Sequence, residues 1–153
     1  MIDIALLRSD PDRVRRNIEK KFQHQKLPLV DEALALDEKR RALQTEGDVL
    51  RAARNTLSKQ IGALMREKKA EEAEAVKAQV NANAARLSQI EAESEEVGAR
   101  LKAVMIRIPN IVSDETPVGK DDSENVERQR FLEPKVPDFE VPYHLDILER
   151  LSG

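Results

Sequence analysis

Two histidines are the side chains of this sequence best suited to acid–base or metal chemistry at neutral pH. His24 and His144 lie far apart, with no regular metal-ligand spacing around them. The chain contains no cysteine, which excludes disulfides and thiolate zinc sites. We therefore interpret both histidines as ordinary loop or surface residues.

The segment from Gly119 to Glu124 contains two patterns to be tested as ligand sites, one for a phosphate and one for a cation. Gly119-Lys120-Asp121 ends like a phosphate-binding loop, but Asp114 stands where the first glycine of that motif belongs and no Ser or Thr follows the lysine. The acids from Asp121 to Glu124 have ligand chemistry for a cation, yet neighbouring acids in a loop flanked by prolines are usually solvated. No nucleophile and base can be paired, so we predict a chain that is not an enzyme by itself and holds no metal or cofactor.

Basic side chains supply the remaining chemistry, which is contact with phosphate. The net charge of -3 argues against a nucleic-acid partner, but the segment from Val49 to Ile90 contains eight bases and four acids. A local excess of positive charge can attract a polyanion even on an acidic protein. The densest bases of this segment are Arg51, Arg54, Lys59, Arg66, Lys68 and Lys69.

Two interpretations of these bases remain open on pattern alone. They could form the solvated face of a helix, which is the usual role of charges on coiled coils. They could instead follow a nucleic-acid backbone, with affinity supplied by phosphate contacts. Aromatic residues make up only 3% of the chain, so stacking on unpaired bases is disfavoured and a structured or duplex nucleic acid is the predicted target.

The basic segment lies within two long heptad repeats. Five leucines spaced seven apart form an apolar stripe along one helix: Leu36, Leu43, Leu50, Leu57 and Leu64. From Val76 to Ile108 a second stripe recurs at steps of four and three, in which only Asn83 and Ser94 are polar. With 36% charged residues, too little bulky apolar material remains for a thick core. The predicted fold class is all-α, a long antiparallel two-helix coiled-coil hairpin.

Antiparallel pairing restricts the register of the two stripes. One register sets Gly47 against Ile90 and Arg54 against Asn83, so that polar residues face polar residues. The alternative register buries Asn83 against Ile61. We predict the first register, because an unpaired buried polar side chain is costly.

A short helix and an extended linker complete the predicted organisation. Asp10-Pro11 begins the helix, whose apolar face of Val14, Ile18 and Phe22 is expected to pack at the base of the hairpin, before an end near Gln23. Residues 1–108 form the first unit, with the hairpin at about 29–108 and its tip near 67–70. A Pro-rich extended linker over 109–142, with one short strand around 126–131, leads to a helical segment at 143–153.

The N-terminal segment and the hydropathy of the chain bear on its location. No apolar run approaches the roughly 20 residues of a membrane span. The segment from Met1 to Ile4 lacks the basic start and long apolar stretch of a signal peptide. We therefore predict a cytoplasmic protein with no membrane partner.

Five segments resemble, in the same order, the N-terminal region of bacterial-type seryl-tRNA synthetases. They are Met1-Ile2-Asp3-Ile4, Leu7-Arg8-Ser9-Asp10-Pro11, Arg51-Ala52-Ala53-Arg54-Asn55-Thr56-Leu57-Ser58-Lys59-Gln60-Ile61-Gly62, Arg107-Ile108-Pro109-Asn110-Ile111 and Pro117-Val118-Gly119-Lys120-Asp121-Asp122-Ser123-Glu124-Asn125-Val126. The last of these is similar to that family's linker into its catalytic domain. The resemblance extends over the whole chain.

The resemblance implies a role for the hairpin. In that family the hairpin is the tRNA-binding arm, which holds the long variable arm and elbow of serine tRNA. A class II catalytic domain downstream activates serine with ATP and Mg²⁺, and it forms the homodimer. We expect this chain to stop as that domain begins, at 143–153, and to lack its activity. The tRNA-binding role carries over to six candidates: Arg51, Arg54, Lys59, Arg66, Lys77 and Arg86.

Two other classes of protein remain as alternatives. A protein-interaction or chaperone-like coiled-coil hairpin would have a polypeptide partner and no nucleic-acid partner. The chain could also be a complete small protein. Salt separates the first alternative from the tRNA-binding arm: each phosphate contact releases a counterion, so affinity for serine tRNA should fall steeply as salt rises.

Overall fold

The computed structural model describes residues 1–133 and 135–151, and the predicted all-α fold class is confirmed in them. Five α-helices follow one another: α1 (Ile4–Ser9), α2 (Pro11–Lys20), α3 (Pro28–Arg66), α4 (Ala70–Arg107) and α5 (His144–Arg150). Short 3₁₀ turns occur at His24–Lys26 and Asp122–Glu124. Pro134 of the predicted linker and 152–153 of the predicted third segment lie outside the described residues.

The hairpin consists of α3 and α4, which pack against each other along their length. Helix α3 has 39 residues and α4 has 38, so each is about 57 Å long at 1.5 Å per residue. A turn at 67–69 joins them. At its other end α4 stops at Arg107, because Ile108 precedes a proline and takes an extended conformation with ψ of 126°.

The register is the one predicted from the two stripes. A Cβ placed on Gly47 would lie 3.6 Å from Cγ2 of Ile90, so these residues face each other across the hairpin. Ion pairs between the helices flank this layer. On one side Arg86 binds Glu46, with 2.7 Å between Nε and Oε1. On the other side Arg51 approaches Glu91, with 4.0 Å between NH2 and Oε1.

The apolar core lies at the base of the hairpin, where α1 and α2 cover it. Leu7 of α1 and Val14 and Ile18 of α2 are fully buried there, against Val30 of α3 and Val104 of α4. Toward the tip of the hairpin the described chain contributes only two helices, so Leu50, Leu57 and Leu64 of the first stripe are half-buried. The molecule is therefore a packed base that carries a thin two-helix arm.

A buried carboxylate joins α1 to α3 within this base. The side chain of Asp37 is 0% exposed. Its Oδ1 accepts a hydrogen bond of 3.0 Å from Arg40, and its Oδ2 accepts one of 3.1 Å from Arg41. Arg8 of α1 lies 3.6 Å from the same Oδ2. Because three cations surround one carboxylate, its burial is compensated.

Three sequence-based expectations are wrong. Phe22 does not extend the apolar face of α2: it is 49% exposed, since the chain turns into the left-handed region there, with φ of 53°. Helix α2 accordingly ends at Lys20 rather than near Gln23. The strand expected around 126–131 is not formed, because this exposed segment has no neighbouring strand to pair with in the described chain.

Asn17 fixes the path by which the chain leaves the hairpin. The residue is 4% exposed on α2. Its side-chain amide donates to the carbonyl of Asn110 at 3.0 Å, and its Oδ1 accepts from the backbone N–H of Val112 at 2.9 Å. The exit segment 110–114 is thereby held against α2.

The turn at the tip uses a strained residue. Lys68 has φ of 58°, and the N–H of Lys69 donates to the carbonyl of Leu64 at 3.0 Å, which closes the end of α3. A left-handed residue with a Cβ costs roughly 1 kcal/mol. We therefore expect Lys68→Gly to stabilise the tip by about 1 kcal/mol relative to Lys68→Ala, which removes the same charge but keeps the Cβ. Amide hydrogen exchange over 60–75 measures this, and equal exchange in the two variants would contradict it.

Candidate nucleic-acid interface

The outer half of α3 presents a basic surface. From Val49 to Arg66 the helix contains four bases and no acid. All four side chains are exposed: Arg51, Arg54, Lys59 and Arg66. Because Leu50, Leu57 and Leu64 turn one side of the helix toward α4, the bases must lie on its flank and outer face. We call this surface the α3 basic face.

Three of these bases are unpaired. Within the described chain, no carboxylate lies at ion-pair distance from Arg54, Lys59 or Arg66. Lys59 and Arg66 are seven residues apart, so they point outward on one line of the helix. Arg54 flanks the stripe beside them. Their charges face solvent with no ion-pair partner among residues 1–133 and 135–151, which leaves them able to contact an external anion.

Arg51 and Lys77 have weak local partners. Arg51 forms an ion pair of 3.0 Å with Asp48 on the same helix and a longer one of 4.0 Å with Glu91 on α4. Lys77 of α4 forms one of 2.5 Å with Glu74, also on the same helix. Exposed pairs of this kind contribute little stability and are screened by salt. Either base can therefore leave its carboxylate for a phosphate at small cost.

Arg86 is held in a different way from the other five candidates. It binds both carboxylate oxygens of Glu46 on α3, at 2.7 and 3.0 Å, and Glu93 on α4 at 3.0 Å. The hydrogen bond that Arg86 donates to Glu46, followed by the one that it donates to Glu93, raises the pKa of Arg86 above its ordinary value. The hydrogen bond from Arg86 lowers the pKa of Glu46. This bidentate contact joins the two helices at the midpoint of the arm.

The Arg86–Glu46 contact predicts a pH dependence of arm stability. Since the pKa of Glu46 is lowered from its ordinary value of 4.5, its stabilising contribution is present above that pH and is lost as the pH falls further. Arg86→Gln should therefore lower the Tm at pH 7, and the difference from wild type should shrink at pH values below about 4.5. Thermal unfolding followed by circular dichroism measures both. Arg107→Gln, at the other end of α4, is the control. The Arg86–Glu46 contact would not stabilise the arm if the Tm difference between Arg86→Gln and wild type stayed the same at low pH, or if Arg107→Gln lowered the Tm equally.

The tip adds little to the positive field. Lys69 pairs with Glu67 at 2.9 Å, while Lys68 remains exposed. Helix α4 begins with Glu71 and Glu72, whose charges suit the positive end of its dipole. The count of eight bases and four acids between Val49 and Ile90 combined the two helices. With the helix bounds known, the excess of bases lies on α3.

Two of the acids weighed from the sequence as cation ligands form hydrogen bonds within their own loop. In the loop after Pro117, the carboxylate of Glu124 accepts a hydrogen bond of 2.7 Å from the backbone N–H of Lys120. In a phosphate-binding loop this N–H would be available to a phosphate, but here a carboxylate already binds it. Asp121 accepts from the N–H and hydroxyl of Ser123, which lowers its pKa. His24 and His144 are exposed. Across 1–133 and 135–151, no three His, Asp or Glu residues are grouped to hold a metal ion.

Comparison with known proteins decides the family. The profile of the seryl-tRNA synthetase N-terminal domain matches residues 1–112. The chain belongs to this family. A serine--tRNA ligase from Delftia acidovorans is 39% identical over 152 residues, covering 99% of this chain and 35% of that protein. One from Burkholderia cenocepacia is 40% identical over 147 residues, covering 96% and 33%. The chain thus spans about a third of the length of the curated relatives it matches.

Solved structures show the same helical architecture for this seryl-tRNA synthetase N-terminal domain. The seryl-tRNA synthetase of Pyrococcus horikoshii, crystallised with ATP, superposes with a TM-score of 0.77 and 29% identity over the whole of this chain and 38% of that one. The cytoplasmic enzyme of Naegleria fowleri gives 0.69 at 20% identity, which supports the fold. Among the described residues, no helix is long and apolar enough to cross a membrane.

Proposed function

We propose that this chain is the tRNA-binding arm of a seryl-tRNA synthetase and that it holds the long variable arm and elbow of serine tRNA. The observation that carries the proposal is the α3 basic face: a run of exposed bases without an acid, on an arm held straight by its apolar stripes. Such a surface binds a backbone through phosphate contacts. It also lacks the aromatic residues that would stack on unpaired bases.

The six candidate bases divide into three roles. Arg54, Lys59 and Arg66 contact phosphates directly, because nothing in the described chain neutralises them. Arg51 and Lys77 join them by exchanging Asp48 and Glu74 for phosphate oxygens. Arg86 does not contact phosphate, since its guanidinium donates hydrogen bonds to Glu46 and Glu93. Its role is to hold α4 against α3. Recognition is then by the shape of the RNA and the spacing of its phosphates rather than by base edges.

The rest of the proposal concerns a longer protein. Residues 1–108 are its arm, 109–142 a linker, and 143–153 the start of a class II catalytic domain in the cytoplasm, which supplies serylation and the homodimer. The large apolar side chains after Pro117 support this division, because they are exposed and need a covering surface: Val118, Val126, Phe131, Leu132, Val136, Phe139, Val141, Leu145, Ile147 and Leu148. ATP and Mg²⁺ would be bound by that domain, as the resemblance to the family implies.

A pair of tRNAs tests the proposed arm function. We expect the chain to bind serine tRNA at least tenfold more tightly than the same tRNA with its variable arm shortened, as measured by fluorescence anisotropy at low salt. Equal affinity for the two RNAs would contradict recognition of the variable arm. If a helical, folded chain bound neither RNA but captured a polypeptide, the protein-interaction hairpin would be the correct alternative.

A further inference from the structure

A second basic surface lies at the base of the arm, about 40 Å along α3 from Lys59 at 1.5 Å per residue. Helix α2 and the exit segment enclose a groove of about 290 Å³. Arg13, Arg16 and Lys20 line it from α2, and Val112 and Asp114 line it from the exit segment. We call it the α2 groove. It is not among the six candidate positions for tRNA contact.

The walls of the α2 groove are held in place before any ligand arrives. Asn17 is buried on the floor between them, and its amide binds backbone groups of both Asn110 and Val112. Lys21 also donates to the carbonyl of Asn110, at 2.6 Å. A site whose walls are fixed in this way loses little conformational entropy when a ligand binds.

The charge of the groove is largely unneutralised. Within the described chain, Arg13 and Arg16 have no carboxylate at ion-pair distance, whereas Arg15 of the same helix binds both Asp12 and Asp31. Lys20 is 3.7 Å from Asp114, whose side chain is 88% exposed. Three bases thus face one loosely held acid. The arrangement differs from an ordinary helix surface, where neighbouring acids satisfy the bases, as they do for Arg15.

We propose that the α2 groove binds a backbone phosphate of the same RNA that the α3 basic face holds. Arg13, Arg16 and Lys20 recur at steps of three and four, so they lie on one face of α2. Guanidinium groups at such spacing suit the bidentate geometry of phosphate oxygens. The groove, at about 290 Å³, has room for a single anionic group. We assign that group to an RNA phosphate because the α3 basic face of the same chain is proposed to bind that RNA. This inference rests on the proposed tRNA-binding function.

Two phosphate contacts so far apart would fix the direction of the RNA on the arm as well as its affinity. We expect Arg13→Gln with Arg16→Gln to weaken serine tRNA binding about tenfold, and to reduce the slope of log K against log salt by about 2, because each lost contact removes nearly one released counterion. The matched control is Lys39→Gln with Lys102→Gln, two exposed bases outside the groove that change the net charge equally. The same slope in both double variants would overturn the proposal.

A gain of affinity tests the groove without the risk of misfolding. Asp114 competes with phosphate for Lys20, so Asp114→Asn should tighten serine tRNA binding two- to threefold, roughly the effect of one weak exposed ion pair. Glu38→Gln removes an exposed acid elsewhere and serves as the matched control. No gain over Glu38→Gln would count against the groove.

Nuclear magnetic resonance separates the sources of the anion. Serine tRNA should shift the backbone amide of Val112 and the side-chain amide of Asn17 at the concentrations at which it binds, and inorganic phosphate should shift them only at much higher concentrations. Shifts with phosphate or polyglutamate but none with the tRNA would overturn the RNA assignment. If wild type bound no tRNA, the proposed function would fail; if it bound and the groove variants matched their controls, this inference alone would fail.

Discussion

Reversing two charges, by Lys59→Glu and Arg66→Glu, is expected to weaken serine tRNA binding about 100-fold near 0.1 M salt. Both side chains are exposed, lie on one line of α3 and have no carboxylate partner in the described chain. Each charge-assisted contact with phosphate contributes roughly 1.4 kcal/mol or more, which is a factor of ten in affinity. The substitutions also place two acids where phosphates approach. Fluorescence anisotropy with labelled tRNA measures the change.

A second pair of reversals provides the control. Lys39→Glu and Lys102→Glu lie at the base of the hairpin and change the net charge by the same amount. They are expected to weaken binding only a few-fold, through the overall field of the protein. Helicity should be unchanged in all four substitutions. Equal losses in the two pairs would show that total charge, rather than the α3 basic face, determines binding.

Removing the buried carboxylate at the base, by Asp37→Ala, is expected to lower the free energy of unfolding by about 3 kcal/mol. Two hydrogen bonds from Arg40 and Arg41 are lost, together with the contact from Arg8 that joins α1 to α3. The cost stays moderate because the three arginines are part-exposed and regain water. For a chain of this length the Tm should fall by roughly 10 °C. Thermal unfolding followed by circular dichroism measures it.

Asp48→Ala is the matched control for Asp37→Ala. Asp48 lies on the same helix and also pairs with an arginine, at 3.0 Å from Arg51, but its side chain is 65% exposed. An exposed pair contributes at most about 1 kcal/mol, so the Tm should change little. A small effect of Asp37→Ala, no larger than that of Asp48→Ala, would show that its burial and three partners contribute nothing to the stability of the base.

The hairpin and its register could be predicted from the sequence because heptad repeats report directly on helix faces. The pairing of Gly47 with Ile90 followed from keeping Arg54 opposite Asn83. Other features depend on contacts with no local pattern. Asp37 looks like any other acid of α3, since the arginine of α1 approaches it only in the folded chain. Phe22 fits the period of α2, but the left-handed turn at that residue moves it off the face.

The sequence predicted the positive charge of the candidate site, but not which of its bases form ion pairs within the protein. Arg86 and Lys59 are both bases near apolar stripe residues, and only the packed register shows that Glu46 engages the first and that nothing in the described chain engages the second. The period of α2 identifies only its apolar face and places its bases on the remaining sides of the helix. That Arg13, Arg16 and Lys20 line a groove depends on the exit segment, which Asn17 holds beside them.

The salt dependence of serine tRNA binding tests the central claim most directly. If the four bases of the α3 basic face and Lys77 of α4 hold the RNA through about five phosphates, log K should fall linearly with log salt, with a slope of roughly -4. Lys59→Glu with Arg66→Glu should then make the slope shallower by about 2. A slope near zero, or no binding of the folded chain at low salt, would contradict the account.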